Sequence, residues 1–340
     1  MAMSIVPLSE KYYSAYYSLV QATRWGNPML PVHYASSLWG MVVLDGEQVV
    51  GGWVGTLRGN VPFVRLIAKS VYFDSYPVFA SAEWESQWTA PLLVAVRAYA
   101  RRSHITMLNL THWVRGNGID LDVSEDNATF VYDLSMSLDE LYNKLDRLKK
   151  RTIKKADSAQ LDVKFLYKEE ALPYLQDFQS LREVTQQRAI SHNAQSSMLL
   201  KSDDFFRKLL REYETYLVAV FLQGRMVAAA TFICGGHTIY GHMAGSDSEA
   251  NRQTGSGTYY YWKAVEYFKQ KGILYFDFGG CPVAPQETDP AYGVYLFKRG
   301  FGADYVQNKA GRIIISPAKY RLLRFLLSQR KLLRLFSNKL

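Results

Sequence analysis

Some residue types and spacings in this sequence could do chemistry. The stretch "RQTGSG", residues 252–257, runs into "TYYYWKAVEYFKQKG". It sets a basic residue, Arg252, ahead of Gly255, Ser256 and Gly257 and then a helix. Glycines let a backbone approach a phosphate closely, and the N–H groups and positive dipole end of a helix then hold it. The same letters also describe a glycine break that merely starts a helix. Further on, "LYFDFGGCPVAPQETDPAYGVYLFKRGFGAD" closes a strand with Asp277, Gly279 and Gly280. It then offers a short helix from Gly293 to Gly300 anchored by Phe297 and Phe301. Lys298 sits beside those anchors, turned off the buried face. A lysine there presents a compact charge to a phosphate or to the oxyanion that develops in acyl transfer. The alternative is a surface lysine whose stem lies over the aromatics. In "TIYGHMAGS", Tyr240 and His242 are two apart and so share one strand face. They suit proton transfer and, equally, core packing. Cys281 reads as an inert thiol after Gly-Gly rather than a nucleophile. The six histidines have no metal-ligand spacing, so no metal is expected. No Ser-His-Asp arrangement is readable, and direct attack of an amine on an activated acyl carbon needs none.

The elements that must hold these residues alternate between strand and helix. "WGMVVLDGEQVVGGWVG" reads as two strands about an Asp45-Gly46 turn. "WTAPLLVAVRAYARRSH" has helical spacing, with "ITMLNLTHW" and "NATFVYDLS" as strands after it. "SLDELYNKLDRLKKRTIKKADSAQ" reads as one long basic helix. Ser137 and Glu140 form its capping box, and Leu141, Leu145, Leu148, Thr152 and Ala156 lie along one face. The second half supplies the strand "LDVKFLY", a helix containing Pro173 in its first turn, and the helix "DDFFRKLLREY". Three antiparallel strands follow, broken at Gln223-Gly224 and at Gly235-Gly236, then the helix after "RQTGSG" and the strand "ILYFDF". Residues 41–113 and 217–278 share one order of elements, which points to an internal duplication. Domains are expected at 1–135 and 136–316, with a basic amphipathic helix at 317–340. The first domain has no comparable glycine pattern before its long helix and is expected to serve mainly as acceptor support.

The formal charge of the 340-residue chain is +9, but it is concentrated. Residues 317–340 hold Lys319, Arg321, Arg324, Arg330, Lys331, Arg334 and Lys339 and no acid, so removing these seven charges leaves +2 for the rest. As a helix this segment presents an apolar band and a basic face, which fits either the surface of an anionic membrane or a helix packed on its own domain. The basic residues between Lys144 and Lys155 fit RNA phosphates or a solvated linker. Two cysteines, Cys234 and Cys281, cannot make a disulfide framework. With no signal-peptide pattern and no run of apolar residues long enough to span a bilayer, a cytoplasmic location is expected, with peripheral contact at the inner face of the membrane.

The pattern Arg-x-x-Gly-x-Gly before a helix resembles the coenzyme-A pyrophosphate loop of GNAT acyltransferases. "YFDFGG" followed by "GVYLFKRGFG" resembles the C-terminal signature of the FemABX family, the peptidoglycan-bridge aminoacyltransferases built from two tandem GNAT-like domains. "ELYNKLDRLKKRTIKKA" and "VTQQRAI" are similar to further segments of that family. The resemblance covers most of residues 130–310. It implies an α/β (α+β) fold with two tandem GNAT-like domains, in which mixed, mostly antiparallel sheets are flanked by helices. It also implies transfer of an amino acid from aminoacyl-tRNA to the amine of a peptidoglycan-precursor stem peptide, on a lipid-linked or UDP-linked muramyl peptide. By the same resemblance Lys298 would stabilise the tetrahedral intermediate or hold the tRNA end. Arg188 would lie near the precursor diphosphate, and Asp277, Gly279 and Gly280 would line the substrate site. The alternative donor is acetyl-CoA or another acyl-CoA held by Arg252, Gly255, Ser256 and Gly257, with a sugar or peptide amine as acceptor. The remaining alternative is a non-catalytic GNAT-shaped binding protein.

Overall fold

The computed structural model describes residues 3–59, 65–116, 118–191 and 201–337. The chain divides into two compact units that are not contiguous in sequence, unlike the expected division at 135/136. One unit comprises Met1–Val20, His33–Asp126 and Asn308–Leu340; the other comprises Gln21–Val32 and Asn127–Gln307.

In the first unit, β1 (Met3–Pro7), β2 (Leu38–Asp45) and β3 (Gln48–Arg58) are antiparallel neighbours, and α1 (Glu10–Gln21) links β1 to β2. The β2–β3 turn falls at the expected Asp45-Gly46, where Gly46 has φ +61°. After α2 (Arg65–Ala68), β4 (Ser70–Phe73) pairs antiparallel with β3, which also carries the short β5 (Val78–Phe79). The long helix α3 (Ala82–Arg102) starts where the Ser81 side chain accepts the Trp84 N–H. Acids in its first turn and Arg101 and Arg102 in its last complement the helix dipole. It leads to β6 (Met107–Leu110), which is parallel to β4.

In the second unit the same sequence of pairings recurs. After β7 (Val123–Asp133), α4 (Leu138–Lys144) and α5 (Arg147–Ser158), β8 (Asp162–Tyr167) begins a sheet with β9 (Thr215–Leu222), β10 (Arg225–Gly235) and β11 (Thr238–Ser246), all antiparallel to their neighbours. A 3-10 turn (Lys168–Tyr174), α6 (Leu175–Ser191) and α7 (Asp203–Glu212) lie between β8 and β9. Gln223 and Gly224, both at positive φ (+49° and +80°), make the tight turn of the β9–β10 hairpin. Then α8 (Ser248–Thr254) and α9 (Ser256–Gln270) precede β12 (Tyr275–Cys281), which is parallel to β11.

The expected duplication is therefore a repeat of strand order, β1-β2-β3-β4-β6 in one unit and β8-β9-β10-β11-β12 in the other. Each sheet gains one more antiparallel strand from the other half of the sequence: β7 on β12, and β13 (Asp304–Ile314) on β6. α10 (Tyr292–Arg299) lies between β12 and β13, and α11 (Pro317–Ser337) ends the described chain. Residues 338–340 of the expected basic tail lie outside the described residues.

The helix expected from Ser137 onward is broken. Its capping box forms, but Leu145 is extended (φ −59°, ψ 138°), and the Asp146 side chain caps a new helix by accepting the Lys149 N–H at 2.6 Å. The restart turns the buried face. Lys149, Ile153 and Ala156 point inward, while Leu148, expected on the apolar face, is exposed.

Two cores sandwich the second sheet. On one side α9 buries Tyr260, Tyr261, Trp262, Val265 and Phe268 against Phe232, Phe276 and Phe278. On the other, α6 and α7 pack Phe178, Leu181, Phe206 and Leu210 on Leu217, Ala229 and Ile233. Close approach of α6 to β11 depends on Gly245, where a Cβ would fall 2.7 Å from the backbone of Leu181 and Arg182. Because those atoms are main chain, they cannot rotate away. Gly245→Val is expected to lower stability by about 1–3 kcal/mol, as overpacking does. Gly293→Ala, with open space around it, should leave the denaturant midpoint unchanged or slightly raised. Chemical denaturation of both variants checks the pair.

Candidate active site where the pairing of β11 and β12 ends

β11 and β12 pair only through Thr238↔Tyr275, Ile239↔Phe276 and Tyr240↔Asp277, although both strands continue. Each is bulged just past that point. On β11 the register with β10 passes from Phe232↔Gly241 to Ala230↔Ala244, which leaves one extra residue on β11 at His242-Met243. On β12 the register with β7 passes from Asp277↔Val131 to Gly280↔Thr129, which leaves one extra residue at Phe278-Gly279. An extra residue bends its strand and increases the local twist, and the regular pairing of β11 with β12 ends at this level, with Gly279 still close to the Gly241 carbonyl.

A threonine of the outer neighbour holds each bulge. Thr231 on β10 receives the Met243 N–H at 3.2 Å, and its Oγ1 lies 3.3 Å from His242 Nδ1. Thr129 on β7 places its hydroxyl 2.6 Å from Asp277 Oδ1 and 2.8 Å from the Gly279 carbonyl. Asp277 Oδ1 also accepts the Gly279 N–H at 2.7 Å. Gly279 has φ +79°, a conformation that excludes ordinary side chains. The resulting turn aims the Gly279 and Gly280 carbonyls at Lys298, whose Nζ donates to them at 2.8 and 2.7 Å. Lys298 is buried, at 7% exposure, so it is not the surface lysine that the sequence also allowed. Lys298, Asp277, Gly279 and Gly280 are thus brought together, with Thr129 at their centre.

The other expected site residues have different surroundings. Tyr240 is fully buried opposite Ile233, and its hydroxyl reaches the Gly26 carbonyl at 3.4 Å. His242 is half-buried, with its ring 6.3 Å from Phe205 of α7. Arg188, near the end of α6, donates to Ser248 Oγ at the start of α8 at 2.7 Å. Arg252 is exposed and ion-paired with Glu249. The expected loop around it is a junction of two helices: Arg252 belongs to α8, and only Gly255, at φ +77°, lies between α8 and α9. A Cβ on Gly255 would lie 2.3 Å from Thr152 Cγ2 of α5. Ser256 is fully buried. Asn251 closes the junction, accepting the Gly255 N–H on its carbonyl and the Gly257 N–H on its side chain, both at 2.7 Å. Of the two cysteines, Cys234 has its thiol pushed up to about 12 by burial and by Glu214, and Cys281 is buried.

Behind Lys298 lies another buried lysine, Lys149. Its Nζ sits 3.4 Å from the ring centre of Phe297 and 4.6 Å from that of Phe301, with Thr258 Oγ1 at 3.4 Å. It therefore clamps the helix that carries Lys298 onto α5. Burial lowers its pKa to about 7, opposed by the Asp146 charge. On one continuous helix Lys149 would lie among the solvated cations; the break at Asp146 shifts the helical phase and turns it inward. Thr129, Thr231 and Asn251 carried no signal at all, since a hydroxyl in a strand and an amide in a helix acquire these roles only through register and the glycine junction.

Residues 144–299 match the family described as the Acetyltransferase (GNAT) domain. The fold of the chain is of the GNAT acyltransferase class, and the matched segment lies in its second unit. Within the class the arrangement is FemABX-like. The crystal structure of FemX superposes with a TM-score of 0.66 at 14% identity, covering 94% of this chain and 99% of that one. The C-terminal domain of a putative lysylphosphatidylglycerol synthetase from Agrobacterium fabrum superposes with a TM-score of 0.54 at 11% identity, covering 93% and 95%. No curated protein matches the chain.

Both supports of the site are testable. Thr129→Val keeps the shape but removes the hydroxyl from Asp277 and Gly279, and is expected to cost about 1–3 kcal/mol in urea denaturation. Lys149 gives a pH signature. Between pH about 7 and 10.5 the unfolded chain holds a proton on this lysine that the folded chain has shed. Its contribution to stability therefore rises with pH across that window. Lys149→Met should flatten the rise in the denaturation midpoint, and an identical slope in both proteins would contradict the assignment.

Proposed function

We propose that the protein transfers an amino acid from aminoacyl-tRNA to the amine of a peptidoglycan-precursor stem peptide. The observation that carries this reading against a coenzyme-A donor is the closed helix junction. Every backbone N–H from Gly255 to Tyr259 already has an acceptor within its own chain: Asn251 O, Thr254 Oγ1, Asn251 Oδ1 and, for Thr258 and Tyr259, Gly255 O. A pyrophosphate needs such donors free. The similarity to FemX over nearly the whole chain supports the same reading, as does the similarity to a protein whose name joins a lysyl group to phosphatidylglycerol. Exposed Arg147, Arg151, Lys154 and Lys155 on α5 offer cations for RNA phosphates, and Lys155 already reaches the Arg252 carbonyl of the junction at 3.0 Å.

In this reaction the acceptor nitrogen attacks the ester carbonyl of the donor. The new C–N bond forms, the C–O bond to the terminal ribose breaks, and the proton lost by the amine ends on the ribose oxygen. Lys298 supplies positive charge to the oxyanion of the tetrahedral intermediate. The Gly279 and Gly280 carbonyls and the Thr129–Asp277 pair fix the ammonium before substrate arrives, so little reorganisation is needed during the reaction.

The second reading, acyl transfer from coenzyme A, is favoured by the Arg-x-x-Gly-x-Gly spacing and by the GNAT-domain match. One pair of experiments separates the two. Radiolabelled aminoacyl-tRNA with UDP-muramyl pentapeptide should give labelled peptide product, and calorimetric titration with acetyl-CoA should give no saturable heat. Micromolar binding of acetyl-CoA would reverse the choice of donor. Lys298→Ala should lower transfer by about 10²- to 10³-fold with an unchanged circular dichroism spectrum. Unchanged turnover in a folded variant would remove Lys298 from the chemistry.

A further inference from the structure

We infer that α11 is a docking surface for an anionic lipid bilayer. The helix belongs to the first unit and touches α2, yet its middle is not covered. Leu322, Phe325 and Leu326, spaced to share one helix face, are 47%, 58% and 42% exposed. Exposed Arg321 and Arg324 flank this stripe, and Leu66 on the adjoining α2 is also exposed. The sequence beyond continues with Arg330, Lys331, Leu332, Leu333, Arg334, Leu335 and Phe336, again without an acid.

Charge and exposure together select the partner. An RNA surface is met by cations, and exposed leucine and phenylalanine add nothing to phosphate contact. A protein partner would have to match seven cations with acids. A bilayer of anionic lipid satisfies both halves of the pattern at once: the apolar stripe enters the acyl boundary while the arginines and lysines stay among the headgroups. None of the described helices is long and apolar enough to cross a membrane, so the contact lies in the interface plane. This surface does not depend on which donor the active site uses.

The test is co-sedimentation of the full chain with phosphatidylglycerol-containing vesicles, with pure phosphatidylcholine vesicles and deacylated tRNA as comparisons. The expected result is binding to the anionic vesicles only. The double variant Leu322→Glu/Phe325→Glu should reduce it at least tenfold, while both the circular dichroism spectrum and activity toward a water-soluble UDP-linked acceptor stay unchanged. Absence of binding to anionic vesicles would overturn the proposal. So would vesicle binding that the double variant leaves intact, or an effect of the variant on tRNA binding alone.

Discussion

The arrangement of the second unit turns on a pair of threonine hydroxyls that each hold open a bulged strand. Thr231 fills the bulge of β11 from β10, and Thr129 locks the bulge of β12 from β7. Without these hydroxyls the extra residue on each strand would leave backbone and side-chain polar groups unpaired in a buried sheet, a costly condition. With them, the regular pairing of the parallel strands β11 and β12 ends after Tyr240 and Asp277. The carbonyls released by the β12 bulge then become the ligands of Lys298. The Lys298 ammonium is thus placed by a register shift that is stabilised from the neighbouring strand β7.

The rest of the unit keeps that geometry stiff. On one side, Tyr261 stacks on Phe278 and meets Phe297 and Phe301. Lys149 places its amino group over the same two phenylalanines, and Tyr132 donates to the Phe301 carbonyl. The segment bearing Lys298 is therefore held at both ends of its Phe-Lys-x-x-Phe motif. On the other side, the absence of a side chain at Gly245 lets α6 press on β11 directly. Arg188 then extends from the same helix to Ser248, so α6 spans from the bulged strand to the start of α8.

How far the sequence foretold this differs by element. Strand and turn positions were legible because hydrophobic runs and glycine turns are local signals: the Gln223-Gly224 hairpin and the Asp45-Gly46 turn fall where their letters put them. Lys298, Asp277, Gly279 and Gly280 were also legible as a cluster, because a strand end and the helix after it are close in sequence. The helix after Ser137 is two helices where the sequence pattern suggests one. Asp146 looked like one more polar residue in an amphipathic run, yet as an N-cap it ends one helix and begins another. The break exchanges Leu148 for Lys149 on the buried face. The partners Thr129 and Asp277, 148 residues apart, lay beyond any local pattern.

The two units show what the bulges add. In the first unit, β4 and β6 pair along their whole length, from Ser70↔Met107 to Phe73↔Leu110, with no shift of register. The space beside β4 is filled by Trp53, stacked on Phe73 with its indole N–H on the Ser75 carbonyl. Beyond β4, Asp74 pairs with Thr111 at 2.7 Å, and burial raises its carboxyl pKa to about 6. An aspartate and a threonine pair in both units but on different strands: Asp74 and Thr111 directly follow β4 and β6, whereas Asp277 and Thr129 lie within β12 and β7. In the first they close a sheet whose strands stay together. In the second, the aspartate accepts the Gly279 N–H just past it, within the bulge whose carbonyls meet Lys298. The strand order is common to both units, and the second carries one extra residue on each of β11 and β12, the β12 one beside Lys298.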